Sequence, residues 1–247
     1  MSSMDVDYSA EKEQPSLSIY TVNCNHSKQV LLGGMGSKSR GTAYDVLACQ
    51  ELGEGCTAQG YDCIALYQDT VHHNAGLNVG LFLRNADSLW QKADAKSFKL
   101  PETMTGRGVA QIALSSRKNA KFVVWIATLH CKSGQYFGNS AQAELGALLK
   151  YVLDCGTMAD AKIIIVTGDM NWGSVKTWAN DNQTKYKTYL CQSYLGDDQM
   201  SGKSLMQTVV FYVPSKVDGS HVEMSTLART TEGHAILHTK ITSLKLS

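Results

Sequence analysis

Proline is scarce, at 3 residues in 247 against 21 glycines, so collagen-like and polyproline segments are excluded. Charged residues make up only 18% of the chain while hydrophobic ones make up 43%, which excludes a disordered or coiled-coil protein. No charge of one sign dominates, because 23 Lys and Arg face 22 Asp and Glu for a net +1. A global positive field toward nucleic acid is therefore missing, although a local basic cleft stays open. No apolar run approaches the ~20 residues of a membrane-spanning helix; the longest, 122–128 and 163–167, are strand-sized. No basic-then-apolar leader is visible, since residues 1–16 carry Asp5, Asp7, Glu11 and Glu13 among Ser and Gln. The expectation is a soluble intracellular protein, cytoplasmic or nuclear. The seven cysteines include no Cys-x-x-Cys pair, which argues against a disulfide framework and a structural zinc. Cys24, Cys49 and Cys131 lie in or beside apolar runs and read as small buried hydrophobes.

What is present is a length sufficient for a large core and a series of strand-like runs. Residues 1–16 read as a polar, disordered arm and 17–247 as one domain without internal repeats. The runs are 17–24, 45–50, 62–67, 78–84, 108–114, 121–129, 162–168, 208–213 and 235–241, rich in Val, Ile or Tyr and bounded by Gly, Asn, Asp or Ser. Ile163-Ile164-Ile165-Val166 is apolar on both faces, as central strands covered on both sides are. One helix stands out over 140–154, with Asn139 as N-cap, Leu145, Leu148, Leu149, Val152 and Leu153 on one face, and Gly156 as the stop. Weaker helices are predicted over 175–181 and between 33–36 and Asp45. Many strands and few helices argue for an α+β or α/β sandwich with helices outside stacked sheets. Gly33-Gly34-Met35-Gly36 has neither dinucleotide-binding nor Walker spacing and reads as a loop, which disfavours a Rossmann domain.

The informative positions are polar residues at the ends of apolar strands, where a rigid element aims a side chain toward solvent. Five places show this: Asn23 and Asn25 after 20–22, Glu51 after 45–49, His130 after 126–129, Asp169 and Asn171 after 164–167, and His234 before 235–237. Taken singly, each reads as a turn residue, a solvated strand end or a satisfied histidine beside the core. Together, in a chain with only 22 acids and 7 His, they read as one site. Carboxylate, amide and imidazole groups without clustered Cys suit a hard divalent cation and phosphate chemistry. Glu51 is the expected primary metal ligand with Asn23 beside it. Asp169 is placed to aim an attacking water and take its proton. Asn171 and Asn23 can donate to phosphate oxygens without adding negative charge, and His130 and His234 can divide the remaining proton work.

This order of motifs resembles the endonuclease/exonuclease/phosphatase superfamily from residue 17 to about 243. Asn23 in Thr21-Val22-Asn23-Cys24-Asn25 resembles the family's metal-site amide, and Gln50-Glu51 its Gln-Glu strand end. Thr128-Leu129-His130-Cys131-Lys132-Ser133 resembles the His strand of the deoxyribonuclease and phosphatase branches. Gly168-Asp169-Met170-Asn171 resembles the diagnostic Gly-Asp-x-Asn, and His234 the terminal His. Arg107, upstream of His130, resembles a phosphate-contacting Arg and reads equally as an exposed turn residue. The resemblance implies a four-layer sandwich of two face-to-face, mostly antiparallel sheets flanked by helices, with a site at one edge. It also implies Mg²⁺-dependent hydrolysis of a phosphoester, Mn²⁺ being able to substitute, with nucleic acid, DNA or RNA, as the expected partner. Lys38, Arg40, Lys132, Lys176 and Lys203 are loop cations open to phosphate contact or to plain solvation.

Two departures from the pattern stand out. Gly233 precedes His234 where the family has Asp, and 207–212 opens the expected penultimate strand with Gln207 rather than Asp. Glu232 and Asp218 are the nearby acids that might take over. The departures keep open a catalytically weakened member that binds nucleic acid, phosphoinositide or a protein; a phosphomonoesterase is the third reading.

Overall fold

A computed structural model describes residues 16–30, 43–68, 78–93, 108–131, 139–171, 178, 189–196, 206–217, 219–231 and 233–242. They form twelve strands and one long helix: β1 Leu17–Asn23, β2 Val46–Gln50, β3 Tyr61–Tyr67, β4 Val79–Arg84, β5 Trp90–Lys92, β6 Val109–Ser116, β7 Asn119–His130, α1 Asn139–Met158, β8 Ile163–Asp169, β9 Leu190–Leu195, β10 Met206–Tyr212, β11 Val222–Arg229 and β12 Ala235–Ile241. Two six-stranded sheets result, ordered β11-β12-β1-β2-β4-β3 and β5-β6-β7-β8-β10-β9. Each holds one parallel pair at its centre, β1 with β2 and β7 with β8; every other pairing is antiparallel. This is the two-sheet sandwich that the sequence predicts.

Period-2 alternation on the central strands decides how the sheets meet. Leu17 and Ile19 on β1 and Val46 and Ala48 on β2 pack against Val124 and Ile126 on β7 and Ile163 and Ile165 on β8 in one buried cluster. Farther along the same inward faces the residues turn polar. Thr21 meets Thr167 across the sheets, Oγ1 to Oγ1 at 2.9 Å, and Thr167 meets Thr208 of β10 at 2.7 Å. Gln50 Nε2 donates to Thr128 Oγ1 at 2.7 Å. One step farther the inward positions are Asn23, His130 and Asp169. The interlayer thus runs from hydrocarbon through hydroxyls and amides to charged groups, and the polar members survive burial because they bond one another.

Helix α1 covers the outer face of the second sheet, with Leu145, Leu148, Leu149, Val152 and Leu153 against Trp125, Ile164, Val166 and Phe211. Gly156 does not stop it. The helix continues to Met158 because a side chain at 156 would press into Ile164, its Cβ only 2.6 Å from Cδ1, so glycine is what lets α1 settle on β8. The cap lies later: Asp160 is left-handed at φ 53, Asp160 N–H donates to Thr157 O and Ala161 N–H to Gly156 O, both at 3.0 Å, the paired bonds of a Schellman motif. The outer face of the first sheet, with Tyr20, Val22, Leu47, Cys49 and Phe82, is packed by Val30, Tyr44, Leu52 and Ala58 from irregular segments. Apart from Ser16 and Trp178, the expected arm and the two weaker helices lie outside the described residues. Strand β11 follows β10, so the strand that opens at Met206 is third from the end and not penultimate. No helix among the described residues is long and apolar enough to cross a membrane.

Candidate active site

The two parallel pairs point their carboxyl ends to the same edge of the sandwich. Asn23 ends β1 and Glu51 follows β2; His130 ends β7 and Asp169 ends β8, with Asn23 opposite Gln50 and His130 opposite Asp169 in the ladders. The amide of Asn23 joins the sheets: Nδ2 donates to Glu51 Oε1 at 2.8 Å and to Asp169 Oδ2 at 3.3 Å, across 146 positions of sequence. His130 Nε2 lies 3.7 Å from Glu51 Oε1 and 3.8 Å from Asp169 Oδ2. His234, just ahead of β12, places Nδ1 3.7 Å from the same Asp169 oxygen. Five predicted residues are therefore brought together. Asp169 lies deepest, with 2% of its side chain accessible, and Glu51 nearer solvent at 18%.

Asn171 stands at the same strand end, where Nδ2 donates one N–H to Cys131 O at 2.7 Å. Its buried Oδ1 has no hydrogen-bond donor among the described residues. Arg107, Lys38, Arg40, Lys132, Lys176, Lys203, Asp218 and Glu232 lie outside the described residues. Gly233, where an Asp was expected, has φ 93 in a turn closed by Gly233 N–H to Thr230 O at 3.1 Å, Thr230 N–H to His234 O at 2.8 Å and His234 N–H to Thr230 Oγ1 at 3.2 Å. A residue with a side chain is disfavoured at that φ. Gln207 is buried opposite Gly168, its backbone carbonyl accepting from Thr167 Oγ1 at 3.2 Å.

The backbone at this edge is unusual. Of the six described non-glycine residues with positive φ, four border the site: Asn25 at 45, His26 at 61, Glu51 at 50 and Asn171 at 53. Such conformations cost roughly 1–3 kcal/mol each in the less tolerant residue types, and they cluster where side-chain aim matters. Sequence reasoning missed His26. It reaches back so that Nε2 lies 3.6 Å from Glu51 Oε2, and the only local signal is its place in the polar turn after an apolar strand. The thiols take no part in the cluster: all seven are free, and burial pushes Cys56 up to about 11 and Cys191 up to about 12.

Glu51, His130 and Asp169 each offer a ligand atom within 4.8 Å of the others. Two carboxylates sharing one amide hydrogen-bond donor repel each other unless a cation or donor lies between them. Oxygen donors with imidazole alongside fit Mg²⁺ or Mn²⁺, so the residues present suit a divalent ion.

No protein-family model matches the chain, and no curated protein matches it in sequence. Solved structures do match in fold. An endonuclease/exonuclease/phosphatase from Bacteroides vulgatus superposes with a TM-score of 0.59 at 13% identity, covering 92% of this chain and 99% of that one. The human Nocturnin catalytic domain with bound sulfate anion gives 0.56 at 14%, over 92% and 94%. Truncated TDP2 from Caenorhabditis elegans gives 0.53 at 10%, over 92% and 98%. The fold is that of the endonuclease/exonuclease/phosphatase superfamily.

Proposed function

We propose that the protein is a divalent-metal-dependent phosphodiesterase that hydrolyses nucleic acid. The observation that carries this reading is the meeting of Glu51, Asp169, His130 and Asn23 from two sheets around one small volume. Support for the substrate class comes from the fold neighbour described as an endonuclease/exonuclease/phosphatase. The sulfate in the Nocturnin domain is a tetrahedral anion of the same shape as phosphate.

Glu51 and Asn23 would hold the ion, with Asp169 and His130 bordering it; when bound, Mg²⁺ or Mn²⁺ supplies positive charge to phosphate oxygens. The chain's own residues do the rest. Asp169 Oδ2 orients a water for in-line attack at phosphorus and accepts its proton. His234 Nδ1, beside that oxygen, holds the carboxylate in place, the task a preceding Asp was expected to share. His130 Nε2 delivers a proton to the leaving oxygen. The second Nδ2 hydrogen of Asn171, not taken by Cys131, is available to a phosphate oxygen, and Arg107 is proposed as a further phosphate contact. Each proton-transfer role is worth about 10²–10⁴-fold.

The test is nicking of supercoiled plasmid and cleavage of single-stranded RNA, with Mg²⁺ or Mn²⁺ and with EDTA, beside a small phosphomonoester. Metal-dependent diester cleavage that falls at least about 10²-fold in Asp169→Ala is the expected result. Tight binding of nucleic acid by wild type with no turnover would overturn it in favour of a binding module, and turnover of the monoester alone in favour of a phosphatase.

A further inference from the structure

Glu51 faces two surroundings. Its inner oxygen, Oε1, has Asn23 and His130 beside it, while its outer oxygen, Oε2, has His26. His26 is held there by backbone. Its N–H donates to Glu51 O at 2.7 Å, and Gly53 N–H donates to Ser27 O at 3.0 Å, tying the 26–27 turn to the segment after β2. The two pieces are in such close contact that a Cβ on Gly53 would collide with the carbonyl of His26 and lie 2.9 Å from that of Ser27. Asn25 and His26 are both left-handed, and histidine is an unusual choice for the second such position. The imidazole is half exposed, at 51%, so packing does not account for it. Its 3.6 Å separation from Oε2 suits two ligands of one ion, since metal–nitrogen and metal–oxygen distances of about 2.0–2.2 Å allow a span up to about 4.3 Å.

We propose that His26 is an imidazole ligand on the outer side of Glu51, which makes the centre favour a transition ion such as Co²⁺, Mn²⁺ or Zn²⁺ over Mg²⁺. The proposal rests on the metal-dependent reading above and extends it to ion selectivity. With His26 included, each carboxylate oxygen of Glu51 has an imidazole nitrogen within 3.7 Å. Imidazole adds affinity for later first-row ions and little for Mg²⁺, which prefers oxygen and keeps its waters.

The test is direct binding by calorimetry, with Co²⁺ and with Mg²⁺, on the full chain as wild type, His26→Asn and Glu51→Gln, together with the visible absorption of bound Co²⁺. Asparagine tolerates the left-handed conformation and keeps the turn while removing the imidazole; His26→Gly, unstrained at that φ, serves where Asn distorts it. The expected result is a loss of about tenfold or more in Co²⁺ affinity, a changed Co²⁺ spectrum, and Mg²⁺ affinity within about twofold of wild type. Equal weakening of both ions, or no change in either, overturns the proposal and leaves the metal-dependent reading standing. Failure of wild type to bind either ion, or binding untouched by Glu51→Gln, overturns both.

Discussion

Gly168 immediately precedes Asp169, and replacing it by alanine tests how tightly the strands behind the site are set. Its φ is +147, and it pairs with Leu129 in the parallel β7–β8 ladder. An added Cβ would fall on Leu129 O, well under 3.0 Å, and would also lie 3.1 Å from Leu129 N and 3.2 Å from its carbonyl carbon. All three are backbone atoms, so no rotamer change relieves the clash. The strands must part by roughly 1 Å, which forfeits packing worth about 1–3 kcal/mol, and the strained φ adds about 1–3 kcal/mol. A total near 4 kcal/mol corresponds to a fall of about 8–16 °C in melting temperature for a chain of this size. The parting occurs one residue from both His130 and Asp169, where a misplacement of about 1 Å costs on the order of 10²-fold in rate. Urea unfolding and the plasmid-nicking assay measure the two effects separately. A Gly168→Ala protein with less than about 1 kcal/mol of destabilisation and activity within about threefold of wild type would refute the reasoning, because the clash would then have been absorbed without moving the site.

Thr167→Val removes the hydroxyl that bonds both Thr21 and Thr208 between the sheets, and the buried partners it strands set an expected loss of about 1–3 kcal/mol; urea unfolding checks it, and an unchanged midpoint would show that the hydroxyl chain carries no net stability. Burial pushes His238 below its ordinary value, with Lys240 adding to the effect and Glu223 opposing it. The unfolded chain therefore binds the proton more readily, so stability falls as pH drops below about 6.5 and returns above it. The wild-type minus His238→Gln difference in urea midpoint is expected to shrink between pH 7.5 and 5.5 on the order of the window that this direction defines, and a flat difference would rule the assignment out.

Central strands were legible because their apolar runs are buried on both faces, as at Ile163-Ile164-Ile165-Val166. The three strands that the hydrophobic pattern did not reveal, β5, β9 and β11, all lie at sheet edges. Leu190–Leu195 is only partly covered along its whole length, and Val222–Arg229 buries only its first residue fully. An edge strand is fixed by hydrogen bonding to one neighbour and needs little apolar signal of its own. Gly156 misled because it has two uses, ending helices and admitting close packing, and only the position of Ile164 tells them apart. In the site, residues delivered by strands were readable as polar ends of apolar runs, namely Asn23, Glu51, His130, Asp169 and His234. His26 was not, because its aim comes from two successive left-handed residues and a backbone bond to Glu51, which leave no periodicity behind.

The graded filling between the layers makes the molecule resemble a book, glued along a greasy spine at Leu17, Val46 and Ile163 and left uncut at the fore-edge where Asn23 touches Asp169. Pages spread at that margin wet amides and hydroxyls rather than oil, so a breathing motion there is cheap while the binding stays shut. A polymer strand would then gain entry by leafing the sheets slightly apart, with no hinged cover required.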